Sequence, residues 1–368
     1  MNRAERSREH YAWTWALYMT ALAVFLTACS IPAVDNFAPS DGTYVNPVLE
    51  RDFPDPAALH APDGWFYVYA TQSSASGKVI NIQVARSLDL VRWRHLGDAL
   101  PVKPRWAAGK QNFWAPHVIY DASEQRYFMY YSAEPDHAGG KCLGVATSAE
   151  PSGPFTDSGR PLVCGEGLEH IDPMAFDDPR TGKRLLYWGS GATPIRVQEL
   201  SADRLGFLPG SVWRHVVFPD ARREYGALIE APWVTYRNGM YYLFYSGDRC
   251  CTRNPRYAIM VARSRDALGP FEPFRGATGN GSSIILERNH AWSAPGHNSV
   301  VADGEGNDWM LYHAMRPAQA AEKEVSGPPG VRMMLLDRIE YRDGWPRVSG
   351  DRPSISRQQA PVLNGGRF

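Results

Sequence analysis

The chain of 368 residues has no excess of charge of either sign, because 39 lysines and arginines balance 39 aspartates and glutamates. The composition is therefore not strongly basic, as that of many nucleic-acid-binding proteins is. The sequence also contains no block of like charges, which would indicate a disordered tail. Convincing helical periodicity is also missing from every long stretch. We therefore expect no nucleic-acid partner and a fold built from strands.

No apolar run is long enough to span a membrane as a helix, although one near the N-terminus comes close. It covers residues 13–28, which is shorter than the roughly 20 residues that a bilayer requires. Three arginines precede it, as in a secretory signal. The run ends in Leu-Thr-Ala-Cys, which resembles a bacterial lipobox, so we predict export across the inner membrane and a lipid anchor on Cys29. A plain signal peptide is the alternative.

Cysteine is scarce. Removal of Cys29 leaves Cys142, Cys164, Cys250 and Cys251. An even number in an exported protein favours disulfides, and the three possible pairings stay open. One of them joins the adjacent Cys250 and Cys251 and leaves Cys142 with Cys164. No second cysteine or histidine pair has zinc-site spacing, so we do not expect a zinc centre.

The most prominent feature that the sequence does have is an internal repeat. Five aromatic and β-branched segments end in small or polar residues and begin 56 to 68 residues apart, at Gly64, Arg126, Arg184, Met240 and Asp308. A second strand-like segment follows each of them. Five repeats of about 60 residues, each holding three or four strands, predict an all-β, five-bladed β-propeller over residues 44–368. Residues 1–29 would be the signal and 30–43 a linker, and a β-sandwich with a second β domain is the alternative.

Proline-containing segments stand directly before the repeated strands, and they carry three carboxylates. These are Asp55 in "DFPDPAAL", Asp172 in "HIDPMAFDD" and Glu230 in "IEAPWVTY". Because the first strand of a blade lines the central channel, we expect the three side chains to converge at one end of it. The prolines around Asp55 predict an extended, stiff backbone there.

Carboxylates that face each other across a bond are typical of glycoside hydrolysis. One ionised carboxylate accepts a proton from the attacking water, and one carboxylic acid protonates the leaving oxygen. The acid must keep its proton near neutral pH, and burial or a neighbouring anion raises its pKa accordingly. A third carboxylate has a natural role as that anion.

The segments "NPVLERDFPDPAAL", "HIDPMAF", "EAPWV" and "PGHNSVV" resemble the motifs of glycoside hydrolase family 43. The resemblance runs from about Val45 to Pro346 and implies a five-bladed propeller that inverts anomeric configuration. It implies that Asp55 is the general base, Asp172 the residue that modulates the pKa of the acid, and Glu230 the general acid. Inversion predicts roughly 6.5–9.5 Å between the carboxyl groups of the base and the acid.

The same resemblance extends to residues around the three acids. His297 resembles a histidine near a channel metal, often calcium, with a purely structural histidine as the alternative. We predict substrate contacts for four more residues: Trp114, His117, Asn298 and Arg332. Trp114 could instead pack between blades.

Three other acidic residues and two other functions are alternatives to this assignment. Asp52 and Glu224 lie near the motifs but lack their proline register. Glu169 stands just ahead of the Ile-Asp-Pro turn, where we expect it on the rim or in a loop. A sugar-binding propeller without catalysis, and a fructoside-cleaving relative that retains configuration with Asp55 as nucleophile, are the alternatives from other classes. The segments "FYSGDRCCTRNPRYAIMVARS" and "LLYWGS" resemble arabinan-acting members of the family more than its xylosidases. The resemblance implies arabinose-containing substrates, with a β-xylosidase of the same family as the alternative. We expect a monomer and no required cofactor beyond the possible calcium.

Overall fold

The computed structural model describes residues 42–74, 77–252, 254–275, 282–317 and 330–363. The predicted signal, its Cys29 and all but the last two residues of the predicted linker lie outside the described residues. In the part of the chain that is described, no helix is long and apolar enough to cross a bilayer.

Strands form almost all of the regular structure, in five antiparallel sheets that follow the repeat. The inner strands of successive sheets are β2 (Ala57–His60), β6 (Trp114–Asp121), β11 (Met174–Asp177), β15 (Ile229–Arg237) and β20 (Ser293–Ala302). The second strands are β3 (Phe66–Ala70), β7 (Arg126–Ala133), β12 (Arg184–Trp188), β16 (Met240–Arg249) and β21 (Asp308–Met315). These second strands are the five repeated segments of the sequence.

Outer strands complete each sheet. The third strands are β4 (Gln83–Ser87), β8 (Lys141–Ser148), β13 (Ile195–Glu199), β17 (Arg256–Ser264) and β22 (Met333–Arg342). The edge strands are β5 (Arg94–Asp98), β9 (Thr156–Asp157), β10 (Val163–Gly165), β14 (Arg214–Val217), β18 (Glu272–Pro273), β19 (Ile284–Leu286) and β23 (Trp345–Val348). Short 3₁₀ helices cover Arg105–Ala107 and Ser349–Asp351.

The inner strands contact one another in a closed ring, β2 with β6, β6 with β11, β11 with β15, β15 with β20, and β20 with β2. The predicted five-bladed propeller is therefore confirmed. Each blade is covered on both faces by its neighbours, which explains why strands such as β3 and β7 are apolar almost throughout and buried at nearly every position.

The N-terminal segment closes the ring against the last blade. Strand β1 (Thr43–Tyr44) pairs with β24 (Gln358–Gln359). The Asn46 side chain acts like a strand partner of β22, donating to the Leu336 carbonyl and accepting from its N–H, both at 2.9 Å. The Phe53 N–H then donates to the Arg332 carbonyl at 2.8 Å. This closure brings together Asp55 and Arg332, which lie near opposite ends of the described sequence.

The four cysteines outside the signal form two disulfides. One joins Cys142 to Cys164 across β8 and β10, and the other joins the adjacent Cys250 and Cys251. Of the three pairings that the sequence left open, this is the one containing the neighbouring pair.

Candidate active site

Every blade enters its inner strand through a left-handed residue followed by proline. These residues are Asp55 (φ 58°), Ala115 (φ 46°), Asp172 (φ 60°), Ala231 (φ 56°) and Ala294 (φ 48°). The prediction of an extended backbone at Asp55 was therefore wrong. A left-handed conformation is uncommon outside glycine, and such residues persist where the surrounding structure fixes them. Their recurrence in all five blades makes them a feature of the architecture, which turns the chain into the channel.

Polar side chains at or just after the ends of the second strands lie beside these kinks. One comes from each blade: Thr71, Ser132, Ser190, Ser246 and His313. Three of them accept from the N–H of a kink residue, whereas Ser246 accepts from the His297 N–H and Ser190 donates to Glu230. Ser132 accepts from the Asp172 N–H at 3.0 Å, and His313 Nδ1 accepts from the Asp55 N–H at 3.1 Å. The sequence analysis missed this ring. Its signal was the polar residue that ends each repeated strand, in "YATQ", "YYSA", "WGSG", "FYSG" and "LYHA".

Asp55 lies where blades 1 and 5 meet, almost completely buried. Its Oδ2 accepts a hydrogen bond from the Thr71 hydroxyl at 2.5 Å. Its Oδ1 lies 3.2 Å from Arg332 Nη1, and also 3.2 Å from Nδ1 of both His297 and His313. Nitrogen groups therefore surround this carboxylate.

Burial by itself would raise the pKa of Asp55. The Arg332 guanidinium, followed by His297 and His313, outweighs burial and holds the pKa well below its ordinary value. Both imidazoles are themselves buried, which lowers the pKa of His313 and lowers that of His297 to about 4. Arg332 is therefore the permanent positive charge beside Asp55, and Asp55 is ionised across the neutral range.

Glu230 lies in a different environment, at the position directly before the kink of blade 4. Its Oε2 accepts from the Ser190 hydroxyl at 2.7 Å, and its Oε1 accepts from the Tyr257 hydroxyl at 2.6 Å. Asp172 occupies the kink of blade 3, and its Oδ2 accepts from the Ala231 N–H at 3.0 Å. The predicted neighbourhood of Asp172 and Glu230 is thus present.

The pKa values of Asp172 and Glu230 are both raised, first of all by burial. The charge on Glu230 and then that on Asp55 raise the pKa of Asp172 further, whereas the two hydroxyl donors lower that of Glu230. Asp172 accepts from one backbone N–H, and no lysine or arginine contacts it within the described ranges. Its role as the anion that modulates the pKa of Glu230 stays a prediction. Because both pKa values are raised and the two groups are close, we expect the pair to retain a proton near neutral pH.

His297 links the carboxylates, since its Nδ1 lies 3.2 Å from Asp55 and 4.0 Å from Asp172 Oδ2. Together with His117 and Asn298 it lines a small cavity in the channel. Among the residues that the structure describes, neither polar atom of the buried Asn298 amide has a hydrogen-bond partner. His117 accepts from the Ala175 N–H at 3.3 Å and packs on Trp233. Both residues lie within the channel wall, and their predicted contact with substrate stays a prediction.

The donors around His297 bear on the predicted metal. Within the described ranges, no group of three or more His, Cys, Asp or Glu side chains could hold an ion. Calcium takes six to eight oxygen ligands. The unpartnered Asn298 amide and the His297 ring fit a cation whose remaining ligands are water, but not an ion enclosed by protein ligands.

Trp114 stands half-buried at the start of β6, with the Lys141 ammonium 3.5 Å from the centre of its ring. Lys141 is buried, and burial lowers its pKa to about 8. One face of the indole is therefore already covered. Stacking of Trp114 on a sugar stays a prediction for the other face.

The acidic residues that competed in the sequence do not join the three carboxylates. Asp52 accepts from the Ser73 hydroxyl and from the Arg332 N–H. Glu169 pairs with Arg196 at 3.1 Å, and Glu224 lies 3.6 Å from Arg256. These contacts give each of them a structural partner outside the cluster.

Comparison with known proteins gives one family. The model of the family described as Glycosyl hydrolases family 43 matches residues 44–346. The extracellular endo-alpha-(1->5)-L-arabinanase 1 of Bacillus subtilis is 27% identical over 305 residues, covering 79% of this chain and 86% of that protein. The extracellular exo-alpha-(1->5)-L-arabinofuranosidase ArbA of Cellvibrio japonicus is 24% identical over 364 residues, covering 93% and 94%.

A solved structure agrees in fold. The crystal structure of a thermostable family-43 glycoside hydrolase superposes with a TM-score of 0.69 at 28% identity, covering 88% of this chain and 100% of that one. The family model spans most of the sequence, including all three carboxylates of the channel. This chain therefore belongs to glycosyl hydrolase family 43 and is a glycosidase.

Proposed function

We propose that this glycosidase hydrolyses α-L-arabinofuranosyl linkages in arabinan or its oligosaccharides, with inversion of configuration. The similar enzymes named above act on α-(1->5)-L-arabinan by name, in both endo and exo forms. The observation that carries the catalytic part is the contrast between an ionised Asp55 beside Arg332 and a proton-retaining pair of Asp172 and Glu230 in the same ring.

Asp55 is the general base in this proposal. As the oxygen of water bonds to the anomeric carbon, one proton of that water passes to the Asp55 carboxylate. Arg332 keeps the carboxylate charged before the reaction, and the Thr71 hydroxyl fixes the direction of Oδ2. The role requires a charged, oriented group within reach of one water molecule.

Glu230 is the general acid. The bond between the anomeric carbon and the glycosidic oxygen breaks while Glu230 gives its proton to that oxygen. Each carboxyl oxygen of Glu230 already has one hydroxyl partner, which leaves the remaining position for the proton that is transferred. Asp172 supplies the second site of the pair and keeps a proton available at neutral pH.

A hydrated cation near His297 is a further part of the proposal. His297 and the Asn298 amide would hold it, with water as the other ligands. When bound, it would add positive charge close to Asp55 and Asp172. Titration of EDTA-treated protein with Ca²⁺, followed by calorimetry and by Tm, tests this, and His297→Ala should remove the response.

The substrate and the stereochemistry can be tested together. Purified protein is assayed on linear arabinan, an aryl α-L-arabinofuranoside and an aryl β-D-xyloside, and proton NMR follows the first sugar released. We expect activity on the arabinosides and a product of the opposite anomeric configuration. Activity confined to the xyloside would contradict arabinose as the substrate sugar. Retention of anomeric configuration would show that Asp55 is a nucleophile and not a general base.

Export and lipid anchoring complete the proposal, because the lipobox-like sequence ends at Cys29. Cys29→Ser should move the protein out of the membrane fraction. Mass spectrometry of the mature wild-type N-terminus should show acylation, and an unmodified terminus would contradict the anchor.

A further inference from the structure

The disulfide between Cys250 and Cys251 lies in the connection that follows β16 and precedes β17. Its two cysteines lie beside different parts of the active site. Cys251 is exposed, and Cys250 is only partly buried. The other disulfide, Cys142–Cys164, lies on blade 2 and serves as a reference for what a disulfide does elsewhere in this fold.

On one side, the disulfide contacts the arginine that holds Asp55. Arg332 Nη1 lies 3.6 Å from Cys251 Sγ, within hydrogen-bond reach of sulfur. The same nitrogen atom lies 3.2 Å from Asp55 Oδ1. Because Arg332 has a long and flexible side chain, a fixed contact beside its guanidinium limits the positions that this group can adopt.

On the other side, the disulfide packs against the buried cluster that contains the tyrosine bonded to Glu230. Cys250 packs against a small buried cluster of Tyr257, Ala294 and Met315. The Tyr257 hydroxyl donates to Glu230 Oε1 at 2.6 Å. One pair of neighbouring residues therefore contacts the arginine beside the base and packs against the cluster that contains the tyrosine beside the acid.

We propose that the Cys250–Cys251 disulfide is a positioning element that holds Arg332 and Tyr257 in register across the active site. This inference rests on the proposed roles of Asp55 and Glu230. Two free thiols would each rotate independently, whereas the bond between them fixes both sulfur atoms with respect to the backbone of β16 and β17. Removing the bond should misplace two groups at once.

The first test is the double variant C250A/C251A, assayed on an aryl arabinofuranoside beside the matched control C142A/C164A. We expect kcat to fall about tenfold to a hundredfold, the range of a small misplacement of reacting groups, with KM changed much less. The control should have a lower Tm than the wild type but the same kcat, because its disulfide only stabilises the fold. Equal kcat values in wild type and C250A/C251A would overturn the inference.

A coupling measurement separates positioning from general loosening. In an Arg332→Ala background, removal of the disulfide should cost less than threefold in kcat, because the group it positions is gone. A full additive loss in that background and in Tyr257→Phe would show that the disulfide does not act through either residue.

Redox treatment covers the case in which C250A/C251A does not fold. In folded C142A/C164A, the described cysteines form only the Cys250–Cys251 bond. Tris(2-carboxyethyl)phosphine breaks it, delivering two electrons with two protons from water, and becomes the phosphine oxide with the oxygen of that water. Activity should fall on reduction and return on reoxidation. Unchanged activity after complete reduction, measured by thiol titration, would contradict the proposal.

The Asp55→Ala variant distinguishes a wrong positioning role of the disulfide from a wrong catalytic role of Asp55. Asp55→Ala is assayed in the same series. An active Asp55→Ala would refute the base itself, whereas an inactive Asp55→Ala beside a fully active C250A/C251A would refute only the positioning role.

Discussion

The two sides of the active site hold similar groups in dissimilar environments. On the arginine side, defined by Asp55 and Arg332, a buried carboxylate is surrounded by nitrogen groups, and its pKa lies well below the ordinary value. On the hydroxyl side, defined by Glu230 with Ser190 and Tyr257, the partners are neutral, and the pKa is raised. Burial acts in the same direction on both sides, so the permanent charge of Arg332 accounts for the difference.

The comparison is sharper for Asp55 and Asp172, because both occupy the same left-handed kink of the repeat. Their backbone N–H groups are bound in the same way, by the side chain that ends the preceding second strand. Yet their pKa values move in opposite directions. The repeat therefore fixes where a carboxylate points, and the neighbours contributed by other blades decide its protonation.

Loss of the base should have the largest effect. Asp55→Ala should lower kcat/KM by about 10²- to 10⁴-fold on every substrate, since the variant lacks the carboxylate that accepts the proton of the attacking water. Asp55→Asn, which keeps the shape, should lose nearly as much. Steady-state kinetics on folded protein check this, and wild-type rates in Asp55→Asn would mean that the charge is not needed.

Removal of the permanent charge should make the arginine side resemble the hydroxyl side. In Arg332→Ala the pKa of Asp55 should rise, because burial then acts with less opposition. The base then stays protonated up to a higher pH, so the acidic limb of the kcat/KM profile should move to higher pH. Below neutral pH, kcat/KM should fall about tenfold to a hundredfold. Arg332→Lys is the matched control and should move the limb less. An unmoved acidic limb in Arg332→Ala would contradict the account.

Removal of the second carboxyl group tests the proton-retaining pair. In Asp172→Asn the proton of Glu230 is no longer stabilised by a neighbouring carboxylate, so it should be lost at lower pH. The basic limb of kcat/KM should move down, with about a tenfold loss near neutral pH for poor leaving groups. If the basic limb stays in place and kcat/KM falls equally for all substrates, Asp172 instead positions the sugar or holds the blade.

Removal of a hydroxyl donor should produce the smallest change, with the opposite sign. The Ser190 hydroxyl lowers the pKa of Glu230, so Ser190→Ala should raise it and shift the basic limb upward. A hydrogen bond to a charged group contributes about 1.5–3 kcal/mol, which bounds the shift at roughly one to two pH units. A downward shift would show that the Ser190 hydroxyl instead accepts a hydrogen bond from the protonated Glu230 carboxyl group.

Much of the fold could be predicted from the sequence, because each repeat carries its own strand pattern. The second strands fall on the repeated aromatic segments, and the inner strands begin within two residues of the kinks at Asp55, Asp172 and Ala231. The left-handed backbone was not predictable from the prolines alone, since a proline favours an extended residue before it. Contacts from the preceding blade override that preference.

The site could be predicted only in part, for the same reason. The sequence indicated three acids with proline motifs, but it did not indicate which neighbours they would have. Arg332 reaches Asp55 across 277 positions through the closure of the ring, and Tyr257 reaches Glu230 from a different strand of the same blade. These contacts set the pKa values, and they depend on how the blades meet.

The dependence of the rate on the leaving group tests the central claim most directly. The kcat/KM values of Glu230→Ala and Asp55→Ala are compared on two aryl α-L-arabinofuranosides, one with a good leaving group and one with a poor one. Glu230→Ala should lose activity on the poor leaving group and keep most of it on the good one, because an activated phenolate departs without a proton. Asp55→Ala should lose activity equally on both. The reverse pattern, or equal losses in both variants, would contradict the assignment of the base to the arginine side and the acid to the hydroxyl side.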